Sequence, residues 1–169
     1  MPPIRSAIAA LLVCFPVALT AQADRSAFIP TASVGAGLAM AQGMGTAPTL
    51  LGSLEFGRGR RPWILRFDGQ FTQWNGSQST TRLTSLTANL AAELRPTGVR
   101  PYLVAGGGGY ASQGTGVRPG LNAGFGLVVP VRGHELLFES RYHAWWRPDV
   151  TGTTAAVRYA TPLTLRIRF

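Results

Sequence analysis

The chain contains no lysine: all sixteen of its basic residues are arginine, set against only seven acids. Charged residues make up 14% of the sequence and hydrophobic ones 46%, a composition too apolar for a disordered tail. After the first two dozen residues there is no uncharged apolar run of 18 residues, so helical membrane spans are excluded as well. The single cysteine, Cys14, lies in the leader, which leaves the rest of the chain without an intrachain disulfide or a thiolate metal site. The two histidines, His134 and His143, fall in different parts of the pattern described below, and no metal site or cofactor is expected. Twenty-one glycines and twelve prolines argue against a helical bundle.

What is present begins with a tripartite leader. Arg5 precedes an apolar stretch from Ala7 to Leu19, which ends in Ala21-Gln22-Ala23. This is the layout of a cleavable secretory signal over residues 1–23, and residues 24–169 then form the exported domain. The apolar stretch is too short for a membrane anchor. Leu12 and Val13, ahead of Cys14, are too large for a lipoprotein signal.

From Phe28 onward the apolar residues recur at every second position, the period of strands with one greasy face. Trp63, Leu65, Phe67, Gly69 and Phe71 share one parity, and Arg66, Asp68, Gln70 and Thr72 the other. A second such segment sets Leu136, Phe138, Ser140, Tyr142, Ala144 and Trp146 against Leu137, Glu139, Arg141, His143 and Trp145. The final segment sets Val157, Tyr159, Thr161, Leu163, Leu165, Ile167 and Phe169 against Arg158, Ala160, Pro162, Thr164, Arg166 and Arg168. Five weaker segments, at 31–39, 49–56, 82–94, 102–110 and 121–131, bring the count to eight. The spacing predicts an all-β, closed, antiparallel up-and-down barrel, which leaves no unpaired edge. Links at 57–62, 95–100 and 132–134 read as short, and those at 40–48, 75–81, 111–120 and 147–154 as longer, an alternation found in transmembrane barrels.

A soluble barrel alternates too, with its apolar parity inside, and two features favour the membrane form. Aromatics recur eight residues apart in the pairs Trp63 and Phe71, Tyr102 and Tyr110, and Phe138 and Trp146. Eight strand residues rise roughly 26 Å, close to the height of an apolar band between aromatic girdles. These six and Phe169 are therefore expected to face lipid. The opposite parity carries Glu55, Arg66, Asp68, Glu93, Glu139, Arg141, Arg158 and Arg166. An eight-stranded lumen is only wide enough to be filled by side chains, so these are expected to pair there with one another and with Gln70, Thr72, Asn89 and Asn122.

The whole exported segment resembles the small eight-stranded outer-membrane barrels of the OmpA, OmpX and opacity-protein kind. The carriers are the terminal Leu163-Thr164-Leu165-Arg166-Ile167-Arg168-Phe169, similar to the last strand that this class presents to the outer-membrane assembly machinery, and the stretch from Arg100 to Tyr110. The resemblance implies a monomer in a bacterial outer membrane, with lipids and that machinery as partners and both termini in the periplasm.

Several residues invite other chemistry. The run Gly106 to Gly109 lacks the Lys-Ser/Thr ending of a phosphate loop and lies within a strand pattern, so it reads as room for large side chains across the sheet, as do Gly35, Gly37, Gly124 and Gly126. The segment from Glu139 to Asp149 resembles the catalytic stretch of lipid A deacylases in placing His143 after Arg-Tyr with Pro148 soon after. It departs from them at Trp145, where they carry the serine nucleophile. Arg58, Arg60, Arg61, Arg95, Arg100 and Arg132 fall in the short turns, where anionic head groups could attract them. The basic residues form no single stripe, which argues against nucleic acid as a partner. The expectation is a non-enzymatic envelope or surface-interaction barrel with a charge-plugged lumen. A deacylase-like enzyme and a narrow pore are the alternatives.

Overall fold

A computed structural model describes residues 30–41, 43–57, 63–75, 80–95, 97–112, 116–148 and 155–169, with the backbone alone for residues 147, 148 and 155–157. The leader and Arg58, Arg60 and Arg61 lie outside the described residues. Eight strands follow in chain order: β1 (Thr31–Ala41), β2 (Gly45–Phe56), β3 (Trp63–Asn75), β4 (Thr80–Glu93), β5 (Arg100–Ser112), β6 (Gly116–Val131), β7 (His134–Pro148) and β8 (Ala155–Arg168). Each pairs antiparallel with the next, and β8 pairs with β1 from Ser33↔Arg168 to Ala41↔Ala160, which closes the barrel. Closure satisfies the backbone of every strand on both sides and leaves no edge.

The alternation of the sequence becomes the two faces of the wall. On β3 the odd positions Trp63, Leu65, Phe67 and Phe71 are exposed, while Ile64, Arg66, Asp68, Thr72 and Trp74 are buried. On β7 Phe138, Tyr142 and Trp146 are exposed, and Leu137, Glu139, Arg141, His143 and Trp145 are buried. On β8 Leu163, Leu165 and Ile167 point out while Thr164, Arg166 and Arg168 point in, and Phe169 continues the outward row. The two girdle positions on β3, the two on β7, and Phe169 are thus on the outer wall.

Strand β5 reverses the expectation. Tyr102 and Tyr110 are 2% and 1% exposed and lie in the lumen, not on the lipid-facing wall. The reason is their neighbour β6, which offers inward glycines. The Tyr102 ring lies so close over Gly126 that a Cβ there would sit 2.5 Å from its Cζ, and a Cβ at Gly120 would sit 2.6 Å from Tyr110 Cε2. Each ring crosses β6 and places its hydroxyl on an inward side chain of β7: Tyr102 on Glu139 at 2.6 Å, and Tyr110 on His143 Nδ1 at 2.9 Å. Inward glycines thus make room for large side chains, as the sequence suggested. Gly124 stands 2.7 Å from Arg141 Cγ by the same measure, and Gly35 meets the Arg166 side chain.

The link lengths differ from expectation as well. Only residues 42–44 separate β1 from β2 and 113–115 separate β5 from β6, because strand pairing runs past the apolar stretches into polar sequence. The outer wall changes character there: beyond Phe71 come the outward Gln73 and Asn75, joined by Arg82 Nε donating to Gln73 Oε1 at 3.1 Å. At the opposite end β6 turns into β7 through Arg132 and Gly133, both with positive φ (45° and 87°), the primed two-residue hairpin that matches strand twist. Arg100, expected in a turn, is the first residue of β5 and is buried.

Gly126→Ala should lower the unfolding free energy by about 1–3 kcal/mol, because Tyr102 and the facing backbone must shift. Gly69→Ala, with nothing within 4 Å of the added methyl, should leave it unchanged. Urea unfolding of the refolded barrel, read by the heat-dependent gel shift, separates the two.

Candidate functional site

The lumen is where the chemistry of this chain collects. All five described acids, Glu55, Asp68, Glu93, Glu135 and Glu139, form ion pairs there with Arg66, Arg100, Arg141, Arg166 and Arg168. Their positions follow from strand parity. Along β7 the inward residues run Glu135, Leu137, Glu139, Arg141, His143 and Trp145, and this order divides the lumen into tiers.

Glu139 is the hub of the middle tier. Its Oε2 accepts from Arg66 Nη2 at 2.7 Å, Arg166 Nη2 at 2.5 Å and the Tyr102 hydroxyl at 2.6 Å, and its Oε1 accepts from Arg141 Nε at 2.6 Å. Asp68 faces the same three guanidinium groups: Arg66 Nε at 3.1 Å, Arg141 Nη2 at 2.8 Å and Arg166 Nη1 at 3.6 Å. Neutral groups complete the tier. Asn89 Nδ2 donates to Asp68 at 2.6 Å, and the Ser53 hydroxyl, which accepts from Arg166 at 3.0 Å, donates to Asp68. Arg66 also stacks over the Tyr102 ring, its Cζ 5.8 Å from the centroid.

The second tier lies at the end of the barrel where β1 begins and β8 ends. Arg100 donates through Nε to Glu93 at 2.7 Å and through Nη2 to Glu135. Arg168 reaches Glu55 at 2.7 Å and Glu135 at 2.9 Å. Between the tiers sit Ile64, Ala91, Tyr102, Val104, Val128 and Leu137, packed as one apolar cluster. Toward the other end Trp74, Leu83, Tyr110 and Trp145 pack with Ala39, Ala47 and Ala160. There the Tyr110 and Trp145 rings stack, 5.6 Å apart and 9° from parallel.

Seven of the eight charges expected in the lumen network are brought together. Arg158 is the exception: it is on the inward parity and half-buried, but lies beside Trp145 near the apolar plug and joins none of the ion pairs among the described residues. Of the polar partners, Asn89 joins the ion pairs, whereas Thr72 and Gln70 bond to Thr49 at 2.7 and 3.1 Å. Asn122 is buried without a partner in either tier. The sequence reading missed Glu135, Arg100 and Arg168 as network members, and Tyr102 as their neighbour. Parity carried the signal for Glu135, which shares its face with Glu139; it did not for Arg100, because Tyr102 on the same face was itself expected to point outward.

His143 is 3% exposed, with Tyr110 as its hydrogen-bond partner through Nδ1. Ser140 is on the other face of β7, toward the outer wall, so the hydroxyl next to this imidazole is a phenol and not a serine.

No family model matches the chain, and no curated protein matches it either. Solved structures do resemble it. Neisserial surface protein A is 19% identical with a TM-score of 0.67, covering 82% of this chain and 95% of its own. Ail of Yersinia pestis, crystallised with the heparin analogue sucrose octasulfate, is 14% identical with a TM-score of 0.55, over 85% of this chain and 99% of its own. The outer-membrane enzyme PagL is 15% identical with a TM-score of 0.51, over 82% and 98%. The chain has the fold of the small eight-stranded outer-membrane barrels, a fold that a surface protein, an attachment invasion locus protein and an enzyme share.

Glu139→Ala should cost about 3–5 kcal/mol, because three guanidinium groups lose a carboxylate in an enclosed space. Tyr102→Phe, which removes one neutral hydroxyl, should cost about 1–3 kcal/mol. Urea midpoints of the refolded variants give both values, and a Glu139→Ala midpoint equal to the parent's would contradict the paired interior.

Proposed function

We propose that this chain is an integral barrel of the bacterial outer membrane, exported through its leader, with a non-enzymatic role in the envelope and a lumen closed to solutes. The observation that carries this is the partition of the wall. Large apolar side chains such as Leu50, Leu86, Leu121, Phe125 and Leu163 stand exposed on the outside, while ten ion-paired groups are held inside. In water that arrangement would expose a continuous apolar surface and enclose charge, both of which are costly. In a bilayer the same wall is solvated by acyl chains. Trp63 and Phe71, and Phe138 and Trp146, then mark the two interfaces.

The small barrels that share this fold, described as outer-membrane proteins, support the location. The outward row Leu163, Leu165, Ile167 and Phe169 on the last strand suits recognition by the assembly machinery before insertion. With both termini in the periplasm, Arg95 and Arg132 lie at the inner leaflet, where anionic head groups attract them. The other end carries links as short as residues 42–44 and 113–115, which leaves little surface for a large binding site and favours a structural role over adhesion. A conducting role is disfavoured by the lumen itself, crossed by Arg66 to Glu139 and stoppered by Tyr110 on Trp145. A deacylase role is disfavoured by His143, which is enclosed and bonded to a phenol.

Purified from outer membranes, the protein should migrate faster before heating than after, add no step conductance to a planar bilayer, and leave lipid A mass spectra the same with and without its gene. Ion steps would replace this reading with a pore, and a lost acyl chain would replace it with an enzyme. Phe125→Arg, placing a cation on the middle of the outer wall, should cost about 2–4 kcal/mol and reduce insertion into vesicles.

A further inference from the structure

On the outer wall Gln73 follows Phe71 by two residues, roughly 7 Å of strand, and the ladder of β3 and β4 continues through the pairs Gln73↔Arg82 and Asn75↔Thr80. These four side chains share the outward face of Phe71 and Leu86, and Asn75, Thr80 and Arg82 are exposed. With Phe71 at the interface, a placement that rests on the membrane reading above, they stand at the depth of the outer leaflet's head groups.

Their hydrogen bonds run one way. Thr80 Oγ1 and Gln73 Nε2 both donate to Asn75 Oδ1, at 3.5 and 3.0 Å, and Arg82 Nε donates to Gln73 Oε1 at 3.1 Å. Both amide oxygens are thereby engaged within the network. What it still offers is N–H: the two Nη groups of Arg82 and the remaining amide hydrogens of Gln73 and Asn75. No described acid competes for them, because all five are paired in the lumen. Gln73 also holds the guanidinium by its Nε edge, so less freedom is lost when the Nη pair takes a ligand. A fork of this kind engages two oxygens at once, and the amides supply donors for a third. A carboxylate has two oxygens to give, whereas a phosphate monoester has three.

Below the fork the wall is apolar. Leu86 is 69% exposed and pairs across the sheet with Gly69, where nothing lies within 4 Å of an added methyl. Phe67 and Phe71 stand exposed on either side of that glycine along β3, leaving a dip in which an acyl chain can lie. Donors above and a bare apolar surface beneath match an amphiphile better than a free anion. We propose that Arg82, Gln73 and Asn75 bind the phosphate of an outer-leaflet glycolipid of the lipid A type, with its acyl chains packed over Gly69 and Leu86.

The probe is lipid A titrated into the refolded barrel in detergent micelles, with bound lipid counted by native mass spectrometry. The wild type is expected to retain lipid A. Arg82→Gln, which removes the fork, and Gln73→Glu, which gives the guanidinium a carboxylate of its own, should each weaken binding about 10–100-fold. Lipid A stripped of its phosphates should bind the wild type equally weakly, and Arg132→Gln, at the other end of the barrel, should bind as the wild type does. Undiminished binding by Arg82→Gln or by the stripped lipid would overturn the proposal. So would displacement of lipid A by excess inorganic phosphate, which would make this a free-anion site. Both outer-wall variants should keep the heat-dependent gel shift, and its loss would make these side chains structural instead. A wild-type barrel without that shift would remove the membrane reading and this site together, whereas a normal shift with binding indifferent to Arg82 removes the site alone.

Discussion

Everything in this barrel depends on the balance of charge inside a closed wall. Eight strands enclose a lumen that side chains must fill, and a charge placed there is cut off from bulk water. Five guanidinium groups therefore meet five carboxylates, and no described acid is left for the outside. Arginine suits the task better than lysine. Its planar fork donates in several directions at once, as Arg66 does to Asp68 and Glu139, and Arg168 to Glu55 and Glu135. The absence of lysine from the whole chain thus has a physical counterpart in the interior.

Filling a cylinder also imposes steric bookkeeping. Large side chains can cross the lumen only where the facing strand gives way, and β6 gives way at Gly120, Gly124 and Gly126 beneath Tyr110, Arg141 and Tyr102. The tyrosines serve as struts: each is anchored on β5, lies across β6 and bonds to β7. The result is a layered interior of ion pairs, aliphatics, ion pairs, polar groups and aromatics. Successive layers are separated by two residues along a strand, as Glu135, Leu137, Glu139, Arg141, His143 and Trp145 show on β7.

Legibility in the sequence varied with the contrast between faces. Strands β3, β7 and β8 set arginine and acids against tryptophan, phenylalanine and leucine, so their inward residues could be read directly. Strand β5 could not be read that way, because Gly106 to Gly109 occupy both parities and erase the contrast. The eight-residue spacing of Tyr102 and Tyr110 shows only that they share a face, since eight is even, and says nothing about which face. Arg100 and Glu135 were missed for a related reason. They stand at strand ends, where turn and strand look alike in sequence but pairing partners decide how far the ladder extends.

By itself the sequence determined the strand count, the antiparallel closed architecture and the sidedness of most of the wall, because all three follow from a local period of two and from where charge alternates with apolar bulk. Only the tertiary structure decided which arginine meets which acid, that the two β5 tyrosines turn inward, and that Gln73 stands opposite Arg82. Those facts depend on the register between strands, as in Arg66↔Asn89 and Gly126↔Glu139. Register is set by closure of the whole sheet at β1 and β8, a constraint that no single segment carries.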